Sequence, residues 1–449
     1  MVPILANYMA LKNTAFRFFY KLHMYVGLFV AVHFIFLSIS GSILLFKEEV
    51  EGEIHTAAAT SASGAPFSYS GLMNEVLKEF PGERPLAVFK DDENENIINV
   101  RLGMNDSKMF RGARKLTYDA NTGAEINVEA SKSSFMDWML RLHREFFLGS
   151  YGKIYVGLIG LLYFFVMLSG FFIYGNFAKK VAFGEVRIKS PRHWFSDLHR
   201  YIGMGVFAWG LIIGATGFLL GISSSLIKFY QYQELKQITL QYKDVHGDND
   251  HVHNMSVLDN VIKTAETSLP NSKVDYIAVP DTQFAPPNHF LVVMVGNTPK
   301  TERMTQLVVV DAATGLQGEV RELPWYMEIT LASEPLHFGN YGGLFLKIVW
   351  LGFSIFSLLL PVFGLVIWYK RKKAKPAGAG VTMETRKLSE HALFKSRFAI
   401  PVILFAVTSF MIIGAYIFGG MFATVSGVVL LIPLYICAQI LIKGRRGRD

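Results

Sequence analysis

Residues 21–41, KLHMYVGLFVAVHFIFLSISG, place His23 and His33 in a stretch that is otherwise apolar enough to sit in lipid. A related stretch, DLHRYIGMGVFAWGLIIGATG, occupies residues 197–217. In both, a histidine is followed by a glycine four residues later and by another glycine eighteen residues later. Because an ionisable side chain at membrane depth is costly, its recurrence at one spacing indicates a duplicated segment in which the histidine is used.

The composition predicts a membrane protein with several spans. Hydrophobic residues make up 51% of the 449 residues, and the mean hydropathy is positive, which is unusual for a soluble chain. A transmembrane helix needs about 20 consecutive apolar residues. We therefore predict six transmembrane helices, at 16–46, 153–174, 201–222, 345–369, 398–418 and 422–442.

Lysine and arginine collect on one side of these spans, namely at both termini and in the connections after the second and fourth spans. By the positive-inside rule this side is the cytoplasm. The two long connections then lie outside it, which in a Gram-negative bacterium places them in the periplasm and the chain in the inner membrane. Each basic run abuts a span, so we expect contact with membrane lipid and no nucleic-acid partner.

The two long connections resemble each other. Each begins with a helix-like stretch, continues with alternating strand-like residues, and ends in a β-rich run around Asp-Ala-x-Thr-Gly, at 115–128 and 307–320. Asp, Asn and Gly are typical of the turn of a β-hairpin. We therefore predict two small α+β domains outside the cytoplasm, at 47–137 and 223–334.

A third repeated motif completes the duplication. His143 in RLHREFF and His337 in PLHFGNY are each followed by a lysine ten residues later and a glycine twenty-seven residues later. Each half therefore consists of a span, an α+β domain, an LH motif and a second span. The predicted fold is an all-α membrane bundle with two α+β domains, whose remaining segments are 1–46, 138–222, 335–375 and 376–449.

The four repeated histidines pair by predicted depth. His23 and His199 lie near the cytoplasmic ends of the first and third spans, and His143 and His337 near the far ends of the second and fourth. Two imidazoles that face each other from different helices are typical of axial haem ligation. For a single histidine at a helix end, a backbone hydrogen bond or a position at the lipid interface is the commoner explanation. Cys437 is the only cysteine, so a haem would be held non-covalently.

Other histidines have weaker patterns. His33 has no twin, since Trp209 occupies the matching position, and it lies roughly 15 Å deeper than His23 along a helix. It either replaces one of the four as a haem ligand or forms hydrogen bonds within the bundle. The stretch HGDNDHVHN at 246–254 either binds a divalent metal or is a solvated loop. Ordinary loop residues are predicted at four further positions: His55, His193, His289 and His391.

The four LH motifs, the two hairpins and the order of the spans resemble the PepSY-associated transmembrane family of iron-regulated bacterial inner-membrane proteins, which includes ferric-siderophore reductases. The resemblance covers roughly residues 10–375. It implies PepSY-like domains, two haem b groups in a four-helix core, and haem-dependent reduction of a ferric siderophore in the periplasm. By carry-over of the motifs it implies four axial ligands: His23, His143, His199 and His337.

Several alternatives stay open. A haem-free permease for siderophore or metal is expected to have broken spans with paired polar residues near the midplane, and the spans show few such residues. A non-redox regulatory protein built on the PepSY-like domains would not need the histidines, and a reductase with another acceptor would keep them. The sequence has no dinucleotide fingerprint, so a quinol or a cytoplasmic reductase is expected to supply the electrons.

Overall fold

The computed structural model describes residues 2–51, 68–91, 96–110, 112–126, 134–177, 183–188, 190–241, 255–297, 305–316, 318–373 and 390–446. It divides into two compact units. The first, called the helical unit, comprises Met1–Val50, Ser133–Ile222 and Thr330–Asp449. The second, called the sheet unit, comprises Glu51–Lys132 and Ser223–Ile329.

The described residues form thirteen α-helices in chain order. They are α1 Val2–Leu44, α2 Lys47–Glu51, α3 Tyr69–Glu79, α4 Ser134–Glu145, α5 Gly149–Phe177, α6 Pro191–Gly205, α7 Phe207–Tyr230, α8 Lys236–Gln241, α9 Leu258–Ser268, α10 Trp325–Phe338, α11 Gly343–Lys373, α12 Glu390–Phe418 and α13 Gly420–Arg446. One π-helical turn, Gln231–Leu235, joins α7 to α8.

Six helical segments among the described residues are long and apolar enough to span a membrane, which confirms the six predicted spans. They are Thr14–Leu44, Gly149–Gly175, Phe207–Ile238, Asn340–Lys372, Ala399–Phe418 and Gly420–Gly444. The third begins later than the predicted residue 201, because the helix is interrupted at Val206, whose φ of −100° and ψ of 6° depart from helical values. Two glycines, at 203 and 205, precede this break and weaken the helix locally.

The helical unit has one main buried core, formed by side chains of α1, α5, α6, α7 and α11 with contributions from α12 and α13. Trp350 and Phe353 of α11 are among its largest fully buried side chains. Small residues allow α5 and α7 to approach closely, since a Cβ on Gly157 would lie 3.0 Å from Gly221 Cα. The indole nitrogen of Trp194 on α6 donates a hydrogen bond of 2.8 Å to the Gly444 carbonyl on α13.

The sheet unit contains a single seven-stranded antiparallel sheet in the described residues. Its strands are β1 Glu83–Lys90, β2 Ile97–Met104, β3 Arg114–Asp119, β4 Ser272–Ala278, β5 His289–Gly296, β6 Thr305–Asp311 and β7 Glu319–Glu322, in the order β3-β2-β1-β4-β5-β6-β7. Buried side chains of α3 and α9 share one core with these strands.

The pairing of β1 with β4 corrects the expectation of two separate domains. Ala87 pairs with Ala278 and Phe89 with Tyr276 in antiparallel register, so strands from 47–137 and from 223–334 belong to one sheet. The physical reason is that β1 and β4 would each be an open edge in an isolated domain. Pairing them satisfies their backbone groups and removes both edges.

The two predicted hairpin turns have the same geometry. Oδ1 of Asp119 and Oδ1 of Asp311 each accept hydrogen bonds from the backbone N–H groups two and three residues later. Gly123 and Gly315 follow with φ of 70° and 68°, a conformation that favours glycine. The second turn joins β6 to β7, and the first leads to a single bridge between Tyr118 and Glu125, so both hairpins are confirmed.

Candidate functional site

The structure brings the four repeated histidines together as two pairs within the helical unit. The ring centroids of His23 on α1 and His199 on α6 are 6.0 Å apart, and those of His143 on α4 and His337 on α10 are 6.3 Å apart. We call these the inner pair and the outer pair. The pairing predicted from the repeat is the pairing that the helices produce.

The outer pair does not lie on the spans themselves. His143 is near the end of α4, and a turn at Phe146 and Phe147, with φ of 45° and 61°, separates it from α5. His337 is near the end of α10, and Gly339, with φ of 67°, begins a corresponding turn before α11. Each imidazole of the outer pair therefore comes from a short helix that precedes a span.

Backbone carbonyls orient the inner pair. Nδ1 of His23 donates to the Val166 carbonyl on α5 at 3.0 Å, and Nδ1 of His199 donates to the Leu360 carbonyl on α11 at 3.0 Å. Val166 and Leu360 are equivalent positions of the duplicated halves. Because a carbonyl only accepts, Nδ1 carries the proton in both rings and Nε2 keeps its lone pair.

Hydroxyl groups orient the outer pair in the same way. Ser40 Oγ lies 3.0 Å from His143 Nδ1, and Thr216 Oγ1 lies 3.0 Å from His337 Nδ1. Each hydroxyl donates its own proton to a carbonyl of its helix, at 2.8 Å for Ser40 and 2.7 Å for Thr216. The hydroxyl oxygen must then accept from Nδ1–H, so Nε2 is again the nitrogen left to bind a ligand.

A glycine lies against each of the four imidazoles. These are the glycines that the repeat places eighteen residues after His23 and His199 and twenty-seven residues after His143 and His337. A Cβ at each position would lie close to the Cε1 atom of the facing ring. The distances are 2.9 Å for Gly41 to His143, 3.1 Å for Gly170 to His23, 3.2 Å for Gly217 to His337 and 3.7 Å for Gly364 to His199.

His33 does not join either pair. Its Nδ1 donates to the Phe29 carbonyl at 2.9 Å, and the Tyr155 hydroxyl donates to its Nε2 at 2.6 Å. Both ring nitrogens are therefore occupied by hydrogen bonds within the bundle. This geometry corresponds to the second of the two alternatives for His33, and Trp209, its counterpart, stacks on Phe353.

The donor set of the two pairs fits haem better than a bare ion. In the part of the chain that the structure describes, no group of three or more His, Cys, Asp or Glu side chains is placed to hold a metal. Two imidazoles are too few for a bare transition metal, whereas a haem supplies four further nitrogen ligands. An iron held between two imidazoles at bond lengths of about 2 Å separates their centroids by roughly 6 Å, and both pairs have this separation.

Several other positions that were singled out from the sequence either lie outside the described residues or differ from the prediction. The candidate metal loop at 246–254 and His55 lie outside the described residues. The other three histidines are not loop residues as predicted, since His193 lies in α6, His289 begins β5 and His391 lies in α12. His289 is only 4% exposed, which agrees with its position in a strand and not with the predicted loop.

A buried carboxylate beside the inner pair was missed in the sequence analysis. Asp197 is fully buried and forms ion pairs with Arg187 at 2.8 Å and with Arg200 at 2.5 Å. The hydrogen bond that Arg187 donates to Asp197 raises the pKa of this guanidinium above its ordinary value. The available signal was the aspartate in DLHR, where the first copy has Lys21. Asp197 ties the segment before α6 to the helix that carries His199.

A family model supports the architecture. The model described as the PepSY-associated TM region matches residues 20–371, a range that includes both histidine pairs. Comparison with curated proteins finds no match. Since the matched range covers well over half of the sequence, the chain belongs to the family of the PepSY-associated TM region.

Proposed function

We propose that the protein is a di-haem b-type reductase of the bacterial inner membrane that reduces the ferric iron of a siderophore complex in the periplasm. The observation that carries the proposal is the arrangement of two histidine pairs, each with centroids about 6 Å apart and each with Nδ1 occupied. Membership of the PepSY-associated TM region family supports it.

The protein's own residues prepare both sites for a ligand. The Val166 and Leu360 carbonyls and the Ser40 and Thr216 hydroxyls fix each imidazole in the tautomer that presents Nε2. When bound, haem supplies reversible one-electron transfer, with a potential set by its ligands and by burial.

The separation of the two pairs suits electron transfer across a membrane. His23 and Gly41, the glycine that lies against His143, are eighteen residues apart on α1, which corresponds to about 27 Å along a helix. The hydrocarbon core of a bilayer is about 30 Å thick. The inner and outer pairs would therefore serve opposite sides of the membrane.

Reduction of the iron releases it from its carrier. Siderophores bind Fe(III) through hard oxygen donors, which hold Fe(II) much less tightly. One electron delivered to the chelate converts Fe(III) to Fe(II), and the iron can then dissociate. A quinol or a cytoplasmic reductase is the expected donor, and the ferric chelate is the substrate rather than a resident cofactor.

The deciding experiment is a reduced-minus-oxidised visible spectrum of the purified full-length protein, with haem counted by the pyridine method. We expect two b-type haems per chain. His143→Ala or His337→Ala should remove one haem, and His199→Ala the other, while His193→Ala serves as a matched control with both retained.

Two results would redirect the proposal. Protein from haem-replete cells that contains no haem would exclude the reductase and favour a permease or a non-redox regulatory role. Two haems without reduction of any ferric chelate by the pre-reduced protein would retain the cofactor sites and point to another acceptor, such as a quinone.

A further inference from the structure

The sheet unit contains a cavity of about 200 Å³ beside the π-helical turn. Its polar lining is Tyr230, Glu234, Arg321 and Glu322, and its apolar lining includes Ile238 and Leu307. Ligand sites for drug-sized molecules are usually 300–1,000 Å³. A cavity of this size suits a smaller molecule.

Two donors at this cavity are buried without a hydrogen-bond partner among the described residues. Tyr230 is 3% exposed, and its hydroxyl has no partner; the same holds for Nε of Arg321. At the other end of the Arg321 guanidinium, Nη2 already donates hydrogen bonds to Gln241 and Glu319. Burying a polar group without a partner costs free energy, and two unmet donors call for an acceptor such as a carboxylate.

A π-helical turn in the backbone beside the cavity positions two of the residues that line it. Gln231–Leu235 form a π-helical turn immediately after Tyr230, and such turns occur often at functional sites. The side-chain amide of Gln231 donates a hydrogen bond of 2.8 Å to the Gln283 carbonyl, which anchors the turn within the sheet unit. Glu234, inside the turn, reaches the cavity.

The charges of the lining select the class of ligand. One guanidinium and two carboxylates give the lining an excess of one negative charge, which opposes a simple anion. A simple cation would leave the Tyr230 hydroxyl and Arg321 Nε unmet. We propose that this cavity binds a small zwitterion of the free α-amino acid class, with its carboxylate at Tyr230 and Arg321 and its ammonium group at Glu234 and Glu322. The proposal does not depend on the haem function.

The test is isothermal titration calorimetry of the purified full-length protein with the standard L-amino acids, offered singly up to about 10 mM so that a Kd of about 1 mM is detected. Acetate and methylamine test each half of the zwitterion alone. We expect at least one amino acid to bind, and both half-ligands to bind about tenfold more weakly or worse.

Variants locate the binding. Tyr230→Phe removes only the unmet hydroxyl and should weaken binding about tenfold, and Glu234→Gln should weaken it as well. Tyr232→Phe is the matched control, because Tyr232 lies two residues away and is 65% exposed. The proposal is overturned if no amino acid binds, if Tyr230→Phe and Glu234→Gln both bind like the control, or if acetate binds as tightly as the zwitterion.

Discussion

The four glycines that face the imidazoles allow a graded test of the site by single methyl groups. An alanine Cβ at position 41 would lie 2.9 Å from His143 Cε1, whereas ordinary contact begins at 3.4 Å, so the ring must move by the difference of 0.5 Å. At position 364 the distance to His199 Cε1 is 3.7 Å, which is ordinary contact. Gly41→Ala and Gly364→Ala therefore add the same methyl group, at position 41 without space for it and at position 364 with space for it.

The expected changes in the free energy of unfolding have opposite signs for Gly41→Ala and Gly364→Ala. Overpacking a filled site costs about 1–3 kcal/mol, while replacing glycine by alanine inside a helix gains about 1 kcal/mol. Gly364→Ala should therefore be neutral or stabilising by up to about 1 kcal/mol, and Gly41→Ala destabilising by up to about 2 kcal/mol. Gly170→Ala and Gly217→Ala, with distances of 3.1 and 3.2 Å, should fall between them.

The assay is the free energy of unfolding in denaturant for the four variants in one detergent, together with haem content. Under the proposed function, Gly41→Ala lowers haem occupancy at the outer pair and leaves the inner pair unchanged. The reasoning is refuted if Gly41→Ala and Gly364→Ala have equal stability and equal haem content, because the contact distances would then have no energetic meaning.

Three further predictions concern polar contacts of the helical unit. Asp197→Ala should lower the free energy of unfolding by about 3–5 kcal/mol in denaturant titration, since its two arginines lose a buried partner; a loss below about 1 kcal/mol would contradict this. Tyr155→Phe should cost about 1–3 kcal/mol because His33 Nε2 loses its donor, with haem content equal to the wild type; loss of a haem would contradict it. Burial is the largest single influence on the pKa of Glu49 and raises it, but the hydrogen bond and charge of Lys347 and a backbone hydrogen bond together outweigh it, so the net pKa is lowered. The stability from this pair is therefore fully present above the ordinary pKa of about 4.5 and is lost as pH falls through the lowered pKa; Lys347→Met should abolish this loss at low pH.

Much of the helical unit was predictable because duplication leaves a record in the spacing of residues. Each copy repeats a histidine and the glycine that another ring contacts, so four helices could be matched in pairs before any geometry was known. Apolar length alone then located the six spans, because a bilayer imposes a minimum length on each. The pairing of His23 with His199 and of His143 with His337 follows from the same repeat.

The rest depends on contacts between distant residues, which local patterns do not encode. The pairing of Phe89 with Tyr276 joins strands nearly two hundred residues apart, and either strand alone is equally suited to a free edge. The interruption at Val206 and the separation of His143 from α5 depend on single backbone conformations. The Nδ1 acceptors were missed because a serine or a carbonyl near a histidine has no distinctive spacing.

The differences between the two copies indicate what the duplicated residues are for. Trp209 replaces His33 and Asp197 replaces Lys21. Helix α13 packs against α6 through Trp194 and Gly444 and against α11 of the second half. Both copies retain the histidine, its Nδ1 acceptor and its facing glycine. These three elements control the position and tautomer of an imidazole, which supports the proposal that all four rings serve as ligands, two at each site.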